Sequence, residues 1–161
     1  MSHDTINQPN YETRLAALGL ALPPPAAALG AYAPFTRTGN LLFLAGTLPI
    51  ENGKVAFTGK IDSSAERIEY GRTAARLCAL NVLANIKAAL GTLDAVAHIV
   101  SVTGFVNGVD DFADSPKVLN GASELFAEVF GELGKHSRAA VSVNGLPLRA
   151  SVEIAVIAEV K

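Results

Sequence analysis

Two side chains near the end of the chain have types and surroundings that invite chemistry. Arg138 opens the apolar run "SRAAVSV", and Glu153 sits inside "SVEIAVIAEV". A carboxylate between Val152 and Ile154 interrupts a strand-like stretch, where an isolated charge is costly unless it is paired or reaches water. An arginine can grip a carboxylate through two parallel N–H bonds, and a neighbouring carboxylate can take a proton or orient a water. If residues 144–151 form a connecting loop, the two runs pair antiparallel. In some registers both charges then share a sheet face, about 13 Å apart. Two readings stand on these residues alone. In one, the pair brackets a cleft for a small carboxylic acid. In the other, Glu153 bonds a neighbouring backbone or subunit and Arg138 is an exposed strand end.

Other chemistries lack their residues. His3, His98 and His136 are scattered, without paired Cys/His or carboxylate spacing, so no metal site is expected. His98, in an apolar run, reads as a hydrogen-bonded core histidine. Phosphate-loop and dinucleotide fingerprints are missing, so no nucleotide cofactor is expected, and no G-x-S-x-G elbow supports serine acyl transfer. Asp110, Asp111 and Asp114 read as a solvated loop rather than a calcium loop. The single cysteine, Cys78, excludes an internal disulfide framework and reads as a small hydrophobe on a helix.

The elements that must position Arg138 and Glu153 fit one domain: 161 residues, half of them hydrophobic. Thirteen basic against fifteen acidic residues leave a net charge of −2 with no basic stripe, so nucleic acid is not an expected partner. The uncharged stretch 15–36 imitates a signal peptide. Asp4 and Glu12 precede it, however, and Pro23, Pro24 and Pro25 stop any helix, which argues against both export and a membrane span. A cytoplasmic protein is expected. Residues 1–10 are polar and expected to be loose, and 11–20 suit a short helix ended by Gly19 and the prolines. Two strands meet at Thr38-Gly39-Asn40, the second covering Leu41 to Leu44, and Glu51–Lys54 ("ENGK") is a hairpin turn. Ser63, with Glu66 three residues on, predicts a capped helix running to Leu90 and ended by Gly91. Its buried stripe is Ile68, Ala75, Cys78, Val82, Ile86 and Leu90.

"AVAHIVSVTGFVN" reads as a central strand. A second helix carries the stripe Val118, Ala122, Leu125, Phe126 and Val129 before the closing strand pair. The order β-β-β-α-β-α-β-β predicts an α+β fold with one mixed sheet and both helices on one face. Nothing remains to cover the other face, toward which Phe43, Val102 and Val141 are expected to point. An uncovered apolar face implies association into a closed oligomer.

In order along the chain, "GAYAPF", "GNLLFLAGTLP", "VTGFVNGVDDFAD", "SRAAVSVNGLP" and "VEIAVIAEV" resemble the signature of the Rid (reactive intermediate deaminase, YjgF-like) family, from about Gly30 to Val160. The resemblance implies a chorismate-mutase-like fold assembled as a homotrimer with ligand clefts between subunits. Residues 1–30 are then an N-terminal extension and 31–161 the Rid-like domain. It further implies hydrolysis of 2-imino or 2-enamino acids to 2-oxo acids and ammonia, with neither metal nor cofactor. By motif, Arg138 matches the arginine that grips the substrate carboxylate and Glu153 the glutamate that positions the attacking water. Tyr32 matches the tyrosine of the first Gly-x-Tyr turn, and Asn120 a cleft asparagine on the second helix. Ala45-Gly46-Thr47 stands where the archetype has Ser-Gly-Gln, so Ala45 and Gly46 line the site but one hydroxyl is lost. Ala140 replaces an archetypal cysteine, and both residues 1–30 and the Asp114–Lys117 segment are longer than in the archetype. These departures mark a divergent branch. The lost serine leaves open a non-catalytic, carboxylate-binding trimer, and the apolar face leaves open a purely structural or chaperone-like one.

Overall fold

A computed structural model describes residues 10–161, so all but the last residue of the polar start, 1–10, lies outside the described residues. The elements are α1 (Tyr11–Ala17), β1 (Phe35–Thr38), β2 (Leu41–Leu44), β3 (Ile50–Glu51), β4 (Lys54–Val55), α2 (Ala65–Leu90), β5 (Val96–Asn107), α3 (Ser115–Phe130), β6 (Ser137–Val143) and β7 (Val152–Val160). Five strands form one mixed sheet in the order β1-β2-β7-β5-β6, and β3 and β4 form a separate hairpin. The α+β class, the mixed sheet and the two long helices agree with the sequence reading. The extra strand before the long helix does not; it arises because Asn52 (φ 51°) and Gly53 (φ 76°) let "ENGK" close a hairpin of its own.

Local signals set the helices. The expected stripe of α3 is wholly buried, Val118, Ala122, Leu125, Phe126 and Val129 each showing no exposed surface, and burial of each Val, Leu or Phe among them contributes about 1.5–3 kcal/mol. Gly91, at φ 82°, ends α2 in the left-handed conformation. The N-cap of α2 is Ser64 rather than Ser63: its hydroxyl accepts from Arg67 N at 3.3 Å, and Asp62 Oδ1 accepts from Ser64 N at 2.9 Å. That shift puts Glu66 one position too early for the reciprocal capping bond. Ala75, Cys78, Val82 and Ile86 are buried as expected, while Ile68 and Leu90, toward the helix ends, are partly exposed. From Asn81 to Ile86 every residue of α2 is buried, and Leu20 and Leu22 of the segment after α1 pack against the same core.

The helices press close to each other and to the sheet because three glycines permit it. A side chain at Gly104 would collide with Leu119, one at Gly71 would crowd Val118, and one at Gly121 would strike the backbone of Arg72, where α3 crosses α2. Gly121→Ala is therefore expected to lower stability by about 2–4 kcal/mol, since backbone cannot yield as a flexible side chain would. Chemical denaturation measures this.

Strand pairing differs from the expected closing hairpin. β5 lies between β6 and β7, pairing parallel with β6 and antiparallel with β7. A chain that leaves β5, crosses through α3 and returns as β6 runs parallel by construction, and β7 then takes the other edge of β5. Val102 also departs from expectation: it is fully buried beneath the helices, whereas Phe43 and Val141 are on the open face, 38% and 45% exposed.

Candidate functional site

Register decides where the two charges go. Arg138 sits opposite Val102, which sits opposite Val156, while Glu153 sits opposite Phe105, which sits opposite Val141. Val102 and Phe105 are three residues apart, an odd step, so their rows project from opposite sheet faces. Arg138 therefore emerges on the helix side at the β6 edge, and Glu153 on the open side. The space that an antiparallel pairing of β6 and β7 would have created between them does not exist within one chain.

On the helix side, Arg138 is held from three directions. Its Nη1 donates to Asn120 Oδ1 (2.9 Å) and Ser123 Oγ (3.1 Å), and its Nη2 donates to the Pro116 carbonyl (3.3 Å). Asn120 and Ser123 are one turn apart on α3, which the close seat of Leu119 over Gly104 brings down to the β6 edge. A guanidinium has five N–H donors, so Nε–H and one Nη2–H remain without a partner among the described residues. Those two donors are available to an acceptor from outside the described residues. Behind Ser123 stands His136, whose Nδ1 lies 2.7 Å from the Gly134 carbonyl and Nε2 2.9 Å from Ser123 Oγ. A carbonyl only accepts, so Nδ1 carries the proton. Burial holds the His136 pKa below its usual 6.5 and favours the neutral ring. Nε2 then accepts from the Ser123 hydroxyl, whose oxygen is left to accept from Arg138.

On the open side, the β2–β7 ladder is interrupted beside Glu153. Between the pairs Phe43↔Ile157 and Thr47↔Ile154, the chain after β2 advances four residues while β7 advances three. The extra residue makes a bulge at Ala45–Gly46, where the missing side chain of Gly46 leaves room for the Glu153 carboxylate; a Cβ there would overlap it. Glu153 is half-buried, and its carboxylate has no hydrogen-bond or ion-pair partner among the described residues. Burial raises its pKa above the usual 4.5. Beyond Gly46, Tyr32, Ala45, Gly46, Thr47 and Asn85 line a small cavity of about 40 Å³ together with the Ala26–Leu29 segment. The Tyr32 hydroxyl accepts from Leu29 N at 3.2 Å.

Of the expected site residues, the structure brings Arg138 and Asn120 together on one face, and Tyr32, Ala45 and Gly46 together around one cavity, with Gly46 also against Glu153. Ser123, His136 and Asn85 were missed. His136 stands two residues before Arg138, the period that places two strand residues on one face. Asn81 and Asn85 share one face of an otherwise apolar helix segment. His98 bonds the Lys135 carbonyl at 2.8 Å, as a hydrogen-bonded histidine, but is only partly buried; Cys78 is buried and free. Among the described residues, no helix is long and apolar enough to cross a membrane.

Comparison with known proteins places this arrangement in context. The family described as "YjgF/chorismate_mutase-like, putative endoribonuclease" matches residues 12–160. This chain belongs to the YjgF-like (Rid) family. Protein TCP17 of Trypanosoma cruzi is 40% identical over 146 residues, covering 90% of this chain and 91% of that protein. The crystal structure of Atu1372 from Agrobacterium tumefaciens, a protein of unknown function, superposes with a TM-score of 0.86 at 45% identity, over 94% of this chain and 92% of that one. The Rid-family protein YyfA of Yersinia pestis gives 0.57 at 27% identity, over 85% and 93%. The Rid-family chain therefore shares more of its backbone with Atu1372 than with YyfA.

Proposed function

We propose that this Rid-family protein hydrolyses small 2-imino or 2-enamino acids to 2-oxo acids and ammonia, in clefts formed between copies of a homotrimer. The observation that carries the reading is the unfilled bonding capacity of its two matched charges: Arg138 keeps a free fork, and Glu153 keeps a free, half-buried carboxylate. Because they lie on opposite faces of one sheet, one chain cannot apply both to one small substrate. A second copy seated on the open face, where Phe43 and Val141 are exposed, would carry its Arg138 edge toward the first copy's Glu153.

In that cleft the Arg138 fork holds the substrate carboxylate, and Glu153 orients a water toward the imine carbon. Attack converts C=N–H into a carbon bearing hydroxyl and amine. A proton shifted from the hydroxyl to the nitrogen releases ammonia and leaves the ketone. An imine carbon is already electrophilic, so positioning and one proton acceptor suffice. An enamine first takes a proton at carbon to become the imine. RNA is less well matched as a substrate, with a net charge of −2 and no basic run.

Ala45, in the place of the archetypal serine, favours a second reading: a trimer that binds small carboxylates without turning them over. One pair of measurements separates the two. Imines made in situ by an amino-acid oxidase are expected to yield 2-oxo acid and ammonia faster with the protein than in buffer. Calorimetric 2-oxo-acid binding without such acceleration selects the binder, and a monomer by light scattering rejects both inter-subunit readings.

A further inference from the structure

We infer that Asn85 is the floor of a side-chain subsite that selects imino acids bearing a small hydroxyalkyl group. The inference rests on the imino-acid site proposed above and names its substrate class. Asn85 projects from the middle of α2, is 5% exposed, and has no side-chain hydrogen bond among the described residues. Its neighbour one turn earlier behaves differently: Asn81 Nδ2 donates to the Leu48 (3.2 Å) and Ile50 (2.9 Å) carbonyls and so stitches α2 to the β3 strand. The two asparagines are alike in burial and only one has a structural task. Among fully enclosed side-chain polar atoms of the described residues only Ser115 Oγ lacks a partner, so the Asn85 carboxamide holds part of the little surface that Asn85 exposes and is open to a ligand or a water.

The position of Asn85 says which ligand. It lines the same cavity as Tyr32, Ala45 and Gly46, and the Glu153 carboxylate lies over the other side of Gly46. Gly46 is the wall that the cavity and Glu153 share, so a substrate whose reacting carbon faces Glu153 meets Asn85 only by passing its side chain round Gly46 into the cavity. The remaining walls, Ala26 to Leu29 among them, are apolar and the cavity is about 40 Å³, room for a side chain of about three heavy atoms. Thr47 spends its hydroxyl proton on the Ala45 carbonyl at 3.0 Å, so the free polar groups are the Asn85 amide, the Tyr32 O–H and the Thr47 lone pairs. A carboxamide both donates and accepts, and an alcohol does the same. A site built to bond a hydroxyl rejects the matching hydrocarbon because its own polar groups then go unpaired.

Two 2-oxo acids test this: 2-oxo-4-hydroxybutanoate and 2-oxopentanoate, identical except for a terminal hydroxyl against a methyl. Titration calorimetry on the native assembly is expected to show at least ~5-fold tighter binding of the hydroxy acid. That ratio should collapse to about one in Asn85→Leu, and also in Asn85→Ala should the leucine variant melt too low to study. The imines formed from homoserine and norvaline should show the same preference in kcat/KM. An equal ratio in wild type and variants overturns the proposal and makes Asn85 the seat of a resident water, as does failure of the hydroxy acid to bind. Selective binding with no turnover of either imine sinks the deaminase reading while the subsite stands.

Discussion

Arg138→Ala is expected to lower kcat/KM for a small 2-imino acid by about 150-fold, the equivalent of ~3 kcal/mol for a lost bidentate, charge-assisted contact. Most of the loss should appear in KM, because the carboxylate is gripped alike before and during reaction. Arg138→Lys should recover little, since an ammonium keeps the charge but cannot present two parallel donors while also meeting Asn120, Ser123 and Pro116. Folding should be nearly unaffected: the side chain is exposed, and water can replace it at all three acceptors. Initial rates of 2-oxo-acid and ammonia release, with the imine generated in situ, measure the effect. An alanine variant as fast as wild type would show that no carboxylate is held there.

Glu153→Gln should cut kcat by about 100-fold or more, the usual contribution of a positioned proton acceptor. It should also act in opposite directions on activity and stability. Burial of an unpaired carboxylate raises the Glu153 pKa above 4.5, so the folded state holds this proton more tightly than the unfolded state does. Stability therefore falls as pH rises from the ordinary glutamate value to the raised one, and above that the full cost is in place. Glutamine has no charge to desolvate, so the variant should melt at a higher temperature than wild type at neutral pH, with the advantage disappearing below about pH 4.5. In wild type the acid limb of kcat should follow the raised pKa, and in Glu153→Gln that limb should be absent. Thermal melts and rate profiles from pH 4 to 8 test both arms. A destabilised glutamine variant would mean that the carboxylate is paired in the assembled protein.

Most of the secondary structure could be read directly because its causes are local. The apolar stripe of α3, the left-handed Gly91 at the end of α2 and the Asn52-Gly53 turn each depend on a few neighbouring residues. The family motifs offered Arg138, Asn120, Tyr32, Ala45 and Gly46 as candidates without reference to strand order. Ser123, His136 and Asn85 were invisible to that reading for a different reason. A serine on a helix, a histidine before a strand and an asparagine in an apolar run acquire meaning only from what faces them across the fold.

Sequence alone thus determined which helices and turns carry the candidate residues, since periodicity and turn chemistry act over short spans. Tertiary structure alone decided that β5 separates β6 from β7. It thereby also decided that Val102 lies beneath the helices, and that Arg138 and Glu153 leave the sheet on opposite sides. Strand order and register are settled by contacts between distant segments, and in a pleated sheet an odd step reverses the face of every side chain.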